Sequence, residues 1–441
     1  METNKYELRS LQQDEIPTLL DHLDAVFGAA NALTGLRGAP RGFFEHHWDS
    51  DETRDPRGCF CAFVGDGEMA ASVRVYSRSV RIGARGTSVA IGGIGDVATK
   101  PEHRGKRLAS RLLGQADVFM ADTAKFNLAV LHAGPGVIPV YAKQGWASCP
   151  FNSTALSVDT LLLAKDVDNQ STIQAMDLTN SAHLSAIKAT YALTAPSILG
   201  SFERPSDFYW TQYVGTCHDP RRVKTRIVYS QATVNLANLQ VGECIGYAYC
   251  EAMRHDIARA ISAYESSGVV HNPINILVMD LFAGKVATVA DDIMHMNPQT
   301  PSQLRKTLAT LLSSSLSNII GPFLPGHIPL QAIQVKFIFP SALLPSEVFE
   351  AMSATDMDSS WTASEYREKI LDEGFMFKVL HPFTAAVGNE GGKDIEVSSV
   401  EELKRIFAPV AAGRSIPFAM CEGVFLGEGA DVFGFFKSDR F

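Results

Sequence analysis

Residues Ile91 to Leu113 read IGGIGDVATKPEHRGKRLASRLL, and the fold follows from how this stretch divides. Ile91, Ile94 and Val97 stand in a glycine-rich extended run, and Pro101 sets a turn. From Lys106 onward Leu108, Leu112 and Leu113 fall at helical spacing, with Ala109 between them. The stretch is therefore a strand, a basic turn and a helix. Arg104, Gly105, Lys106 and Arg107 stand where the helix begins. A helix start exposes unpaired backbone N–H groups and the positive end of the dipole, which makes it a seat for phosphate. Gly105 lets the backbone approach a ligand closely, and the three cations add charge-assisted contacts to an anion.

The composition bounds what surrounds this turn. A chain of 441 residues suggests about three domains. Hydrophobic residues at 46% against 20% charged describe a globular protein with ample core. Its 39 basic and 48 acidic side chains give a formal charge of −9, which argues against a nucleic-acid partner and favours a neutral or cationic substrate. The start METNKYELRSLQQDE lacks the apolar core of a leader, and no apolar run is long enough to span a membrane. Seven cysteines without clustered spacing fit a reducing compartment, so a cytoplasmic protein is expected. Cys59 and Cys61 alternate on a strand and read as core thiols, and no metal site is expected.

Along the chain, Tyr6 to Arg9 reads as a strand, and Ile16, Leu19, Leu20, Leu23, Val26 and Phe27 as an amphipathic helix. A second helix forms around Phe43, Phe44 and Trp48. His46 and His47 there do not share a face, so they belong to solvated surface or a pocket wall. Strands at Cys59 to Val64 and Met69 to Val75 join through Gly65-Asp66-Gly67, and a further hairpin spans Ser79 to Ser88. After the organising helix come the strand LAVLH (Leu128 to His132) and the short helix of VYAKQGW, with Ala147 to Val158 closing the sheet. A polar linker near Leu161 to Ser171 precedes a second cycle. It has a strand near Thr172 to Met176, a helix at Ala182 to Tyr191 and another over Phe202 to Val214. Strands follow at Thr225 to Tyr229, Glu243 to Glu251 and Ile274 to Leu281, then a helix at Ser302 to Leu316 and a strand at Ala332 to Phe339. The remainder reads as an acidic helix at Ser364 to Glu373, a strand at Phe375 to Leu380 and a helix at Val400 to Phe407.

The run VATKPEHRGKRLASRLL resembles the acetyl-CoA motif of the GNAT N-acetyltransferases, a strand followed by R-x-x-G-x-G/A at a helix start. Arg104 matches the first motif position and Ala109 the last, whereas Arg107 replaces the usual middle glycine. The resemblance implies an α/β (α+β) class: a GNAT domain over residues 1–160, a second GNAT-like domain over 165–341, and a small α+β domain over 343–441. The second strand-to-helix junction, LFAGKVATVADDIMHMNPQTPSQL, lacks the basic glycine turn and is not expected to bind CoA. The three-part layout resembles the bacterial Eis (enhanced intracellular survival) acetyltransferases, which implies a sterol-carrier-protein type for the third domain and a homo-oligomer. Fungal lysine N6-acetyltransferases are a second similar group.

The same resemblance assigns the site. Acetyl-CoA is the co-substrate, with pantetheine along Val97, Ala98 and Thr99, and the pyrophosphate over Arg104, Gly105, Lys106, Arg107, Leu108 and Ala109. Tyr141, in VYAKQGW, stands where the family's tyrosine faces the sulfur, and would protonate the departing thiolate. The alternative is a tyrosine packed under its helix. Phe441 ends the chain as the aromatic C-terminal residue does in Eis proteins, whose carboxylate acts as base; the alternative is a terminus at the surface. His132 closes an apolar strand and reads as core. The expected reaction is acetyl transfer to a primary amine, whether free lysine, a polyamine, an aminoglycoside-like amine or a protein lysine. Its rivals are a non-catalytic acyl-CoA sensor or scaffold, and a GNAT domain whose later domains form a protein-interaction platform.

Overall fold

A computed structural model describes residues 6–29, 38–65, 67–82, 87–149, 151–158, 171–194, 202–214, 219–231, 244–270, 272–283, 285–288, 294–297, 301–340, 367–372, 374–386 and 394–411. The first half runs β1 (Tyr6–Ser10), α1 (Ile16–Phe27), α2 (Arg41–Asp49), β2 (Cys59–Val64), β3 (Met69–Ile82), β4 (Thr87–Thr99), α3 (Leu108–Val118), β5 (Leu128–His132), α4 (Ile138–Ala142), β6 (Ala147–Ser148) and β7 (Phe151–Val158). The second runs β8 (Ser171–Ala175), α5 (Ser181–Thr194), β9 (Arg222–Gln231), β10 (Cys244–Met253), α6 (Arg254–Ser267), β11 (Ile274–Ala283), β12 (Lys285–Thr288), β13 (Met294–Asn297), α7 (Pro301–Ile320) and β14 (Val335–Pro340). The chain then adds β15 (Arg367–Asp372), β16 (Phe375–Val379), β17 (Phe383–Ala386), β18 (Asp394–Val397) and α8 (Val400–Ala411).

Two seven-stranded sheets organise these elements, in the orders β1-β2-β3-β4-β5-β16-β6 and β15-β7-β14-β11-β10-β9-β8. Each begins with an antiparallel meander, β1 to β4 or β8 to β11. Each makes one parallel step, β4 to β5 or β11 to β14. Each then accepts a strand from elsewhere in the chain, β16 beside β5 and β7 beside β14, and ends on β6 or β15. One fold is thus used twice, and the two sheets exchange a strand reciprocally.

This exchange corrects two expectations. Ala147 to Val158 does not close the first sheet as a pair: β6 stays, and β7 crosses to the second sheet. The acidic segment expected to be helical is β15 over Arg367 to Asp372, paired from Arg367–Leu156 to Asp372–Phe151. A ladder to a waiting strand outweighs the helical preference of Glu, Lys and Leu in REKILD. The Ser79 to Ser88 hairpin is the end of a longer one, since β3 and β4 stay paired from Ala71–Thr99 to Ile82–Thr87. The helix expected over Phe202 to Val214 is confined to residues 207–214.

The first sheet packs on both faces. Val73, Val75, Ile94 and Val97 join Leu108, Leu112 and Leu113 of α3. Cys59, Cys61, Met69 and Ala98 meet Leu19, Leu23, Phe44 and Trp48 of α1 and α2. A third core ties the halves together: Val80, Ile82, Val130, Phe202, Tyr249, Phe377 and Leu403 pack as one cluster. Val80 also forms a bridge with Phe202, and Ser206 donates to Glu52 at 2.6 Å.

Because each half completes the other's sheet, pieces 1–165 and 166–441 made together are expected to co-purify as a one-to-one complex. Neither alone should show a cooperative thermal transition, since each lacks an interior strand and exposes an apolar edge. Independent cooperative melting of either piece, by circular dichroism, would contradict the exchange.

Candidate active site

The site is built where β4 leaves β5. β4 pairs with β5 only over Ile91 to Gly93, although it stays on β3 as far as Thr99. Ile94 to Thr99 therefore has a backbone edge turned away from β3 that β5 does not fill, a slot an extended ligand can pair with. Within it the β3–β4 register shifts between Ser72 and Arg74, and Asp96 takes a left-handed φ of 51°. This bulge re-aims the chain at one point. It sends Val97 into the core beneath α3 and Ala98 into the core beneath α1 and α2.

The turn that follows is wound left-handed twice, at Gly105 (φ 76°) and Arg107 (φ 57°). An added Cβ at Gly105 would meet nothing within 4 Å, so the backbone there is open to a ligand. Arg107 is the N-cap of α3 and supplies no side-chain cap, leaving the first-turn N–H groups of Leu108 and Ala109 without an intrahelical partner. The three cations are not equivalent. Lys106 Nζ donates to Tyr6 Oη at 2.8 Å and to the Glu102 carbonyl at 3.2 Å, and Arg104 Nε to the Thr99 carbonyl at 3.3 Å. The Arg107 side chain is exposed. The arginine in place of a glycine therefore keeps the left-handed backbone and adds a cation, against a conformational penalty.

Tyr141 lies in α4, 3% exposed, within the cluster that holds Val97, Leu108, Leu131 and Trp146. Its backbone carbonyl accepts from Gln144 N at 2.8 Å and Trp146 N at 3.3 Å. It is thus on the α3 face of the opening. Phe441 lies outside the described residues. His132 packs edge-on against Phe375 with its ring over Gly374, a core position. Cys59 and Cys61 are buried core thiols.

Sequence reasoning passed over Asp96. Its carboxylate, 14% exposed, accepts from Tyr76 Oη at 3.0 Å and lies 3.7 Å from Arg74 Nη1. Burial raises its proton affinity above the ordinary carboxylate, with Arg74 and the Tyr76 hydroxyl opposing. The Tyr76 ring packs against Gly95, where a Cβ would come within 2.7 Å of it. Arg74 stacks between Tyr76 and Trp48, at 4.1 and 4.5 Å from their ring centres. Its Nη2 is fixed at 2.9 Å by the buried Asp51, which also takes Arg78 Nη1 at 2.9 Å. Burial pushes Asp51 up, but Arg78 and Arg74 outweigh it and hold the carboxylate below its usual range. Asp96 thus faces the α1–α2 side and Tyr141 the other. His47 lines the same side against Phe43; burial, His46 and Arg74 lower its pKa to about 3.

Among the described residues, Glu68, Glu102 and His103 form the group of acids and histidine close enough to suit a metal, with ligand atoms within 4.8 Å. Glu68 is already held by Lys100, and His103 Nδ1 by Tyr6 Oη at 3.0 Å, so we read an ion-pair cluster bracing the turn. No described helix is long and apolar enough to cross a membrane.

Two outcomes follow from these conformations. Arg107→Gly should leave stability unchanged or improved, whereas Arg107→Val should lose about 1–2 kcal/mol in urea titration, because a β-branched residue is strained at this φ. His22 on α1 is 3% exposed, and burial, then Lys100, lowers its pKa to about 4. Between pH 6.5 and 4 the unfolded chain binds a proton that the folded chain refuses, so stability falls as pH falls. The loss should approach about 3 kcal/mol and flatten in His22→Leu when urea midpoints are followed against pH.

Comparison with known proteins bears on the fold. Residues 7–149 match the acetyltransferase (GNAT) domain. No curated protein matches the chain in sequence. Among solved structures, a GCN5-related N-acetyltransferase from Anabaena variabilis is 12% identical with a TM-score of 0.51, over 85% of this chain and 73% of that one. A GCN5-related N-acetyltransferase from Kribbella flavida is 13% identical with a TM-score of 0.50, over 89% and 81%. Eis1 from Mycobacterium abscessus is 15% identical with a TM-score of 0.46, over 90% and 83%. Residues 7–149 thus carry the match to a GNAT acetyltransferase domain, and the likeness to the solved structures is one of fold.

Proposed function

We propose that this domain moves an acetyl group from acetyl-CoA to a primary amine by direct attack. The observation that carries the reading is the opening at Asp96 and Val97, which adjoins the left-handed phosphate turn and has a carboxylate on one face and a phenol on the other. Pantetheine lies along the free edge of Ile94 to Thr99, with the pyrophosphate over Arg104 to Ala109. A backbone N–H of Val97 or Ala98 steadies the developing oxyanion. An alkylamine with a pKa of about 10.4 arrives protonated and must lose a proton before attack. Asp96 takes that proton, directly or through water. The nitrogen–carbon bond forms, the carbon–sulfur bond breaks, the Tyr141 hydroxyl protonates the leaving thiolate, and the second proton lost by the acylated nitrogen passes through water to restore the phenol. The acceptor class spans free lysine, polyamines, aminoglycoside-like amines and protein lysine, and enters from the Trp48 and Tyr76 side.

Release of CoA thiol from acetyl-CoA across a panel of these amines tests the reading. Turnover should depend on the amine, and Asp96→Asn and Tyr141→Phe should each lower kcat about 100-fold or more while acetyl-CoA still binds. Because the base must be ionised, wild-type activity should fall as pH drops through a value above the ordinary carboxylate range, a limb that Asp96→Asn abolishes. If deleting Phe441 silences the enzyme and Asp96→Asn does not, the terminal carboxylate is the base. Binding of acetyl-CoA without turnover of any amine would favour a sensor or scaffold.

A further inference from the structure

We infer that Lys378, on the strand donated from the C-terminal part of the chain, is a positioning residue for Tyr141. The inference rests on reading Tyr141 as the proton donor. Lys378 Nζ donates to Asp117 Oδ2 at 2.8 Å and to the Gln144 carbonyl at 3.0 Å. Asp117 belongs to α3, the helix whose N-terminus forms the phosphate seat. Gln144 follows α4 and donates its N–H to the Tyr141 carbonyl. One ammonium therefore joins three elements: β16, the CoA helix and the turn that closes the helix carrying the tyrosine.

The physical need for this tie lies in α4. A helix of five residues does not hold itself in water, and its last carbonyls have no intrahelical donors. The turn after the helix supplies them, Gln144 and Trp146 N–H meeting the Tyr141 carbonyl, and the cation holds that turn through the Gln144 carbonyl and complements the dipole. Tyr141 is buried in the same packed cluster as Val97, so its hydroxyl is aimed by the backbone that Lys378 anchors. Burial raises the pKa of Asp117 and the Lys378 ammonium opposes it, so removing the ammonium leaves a buried acid as well as an open carbonyl. Asp117 lies about 14 Å along α3 from Leu108 at the helical rise per residue. The phosphate seat is at the far end, and acetyl-CoA affinity should not depend on Lys378.

The test combines kinetics with amide exchange on the full chain, using the amine with the highest turnover in the panel. Lys378→Met should lower kcat about 10- to 100-fold, with the KM for acetyl-CoA within about twofold of wild type. Lys378→Arg should restore most of the loss. In a Tyr141→Phe background the Lys378→Met change should have no further effect on kcat, because both remove the same contribution. Hydrogen–deuterium exchange should rise over residues 138–146 and stay unchanged over 108–113. An equal loss of kcat in the Tyr141→Phe background, or a KM effect in place of a kcat effect, would overturn the role. Unaltered exchange over 138–146 would overturn it whatever the kinetics. Wild-type turnover in Tyr141→Phe alone would instead remove the proton-donor reading on which the inference rests.

Discussion

A parallel strand pair has two outer edges, and the architecture of this protein is an answer to one of them. β5 meets β4 on one side over only Ile91 to Gly93, and its other side needs a partner along its whole length. No strand of the first half fills that place. β16 does, pairing from Phe375–His132 to Val379–Leu128, and β7 returns the service to β14. From that constraint follow the shared core between the halves and the anchoring of α4 from beneath.

The other edge of β5 is where the first sheet opens, because β4 leaves it. A sheet that stayed closed would bury the backbone groups of Ile94 to Thr99 in a ladder. The bulge at Asp96 does more than open a slot. It divides the residues around the slot between two faces, each with its own core and electrostatics. One face carries the buried Asp51, Arg74 and Arg78 array, whose interlocked charges hold Tyr76 and Asp96 in place. Buried ion pairs of this kind contribute geometry more reliably than net stability. The other face is apolar and ends on Tyr141.

What the sequence revealed depended on whether the informative residues were contiguous. The strand, turn and helix over Ile91 to Leu113 were legible because apolar alternation, glycine, cations and helical spacing follow one another within one short run. The second α/β cycle was legible from its order of elements. The ownership of strands was not: FMFKV announces an apolar strand but nothing in it says which sheet it enters. REKILD misled because its charges suit a helix, and only β7 lying beside it makes it a strand. Asp96 was hidden for a related reason. In sequence it is an ordinary aspartate in a glycine-rich strand, and its surroundings arise from a register shift against β3 and from Arg74 and Tyr76 beside it.

The exchanged strands also set a timetable for the molecule's making. β5 is complete once His132 has been added, yet its partner ends at Val379. At ordinary synthesis rates roughly 10–50 s separate the two events. During that interval the nascent chain carries an apolar sheet with an unfilled inner edge, which invites pairing with neighbouring chains on the same message. Contacts of such long sequence separation also slow the final assembly. Maturation of the enzyme is in this sense a post-synthetic event, and its yield depends on whatever shields β5 until the far end of the chain arrives.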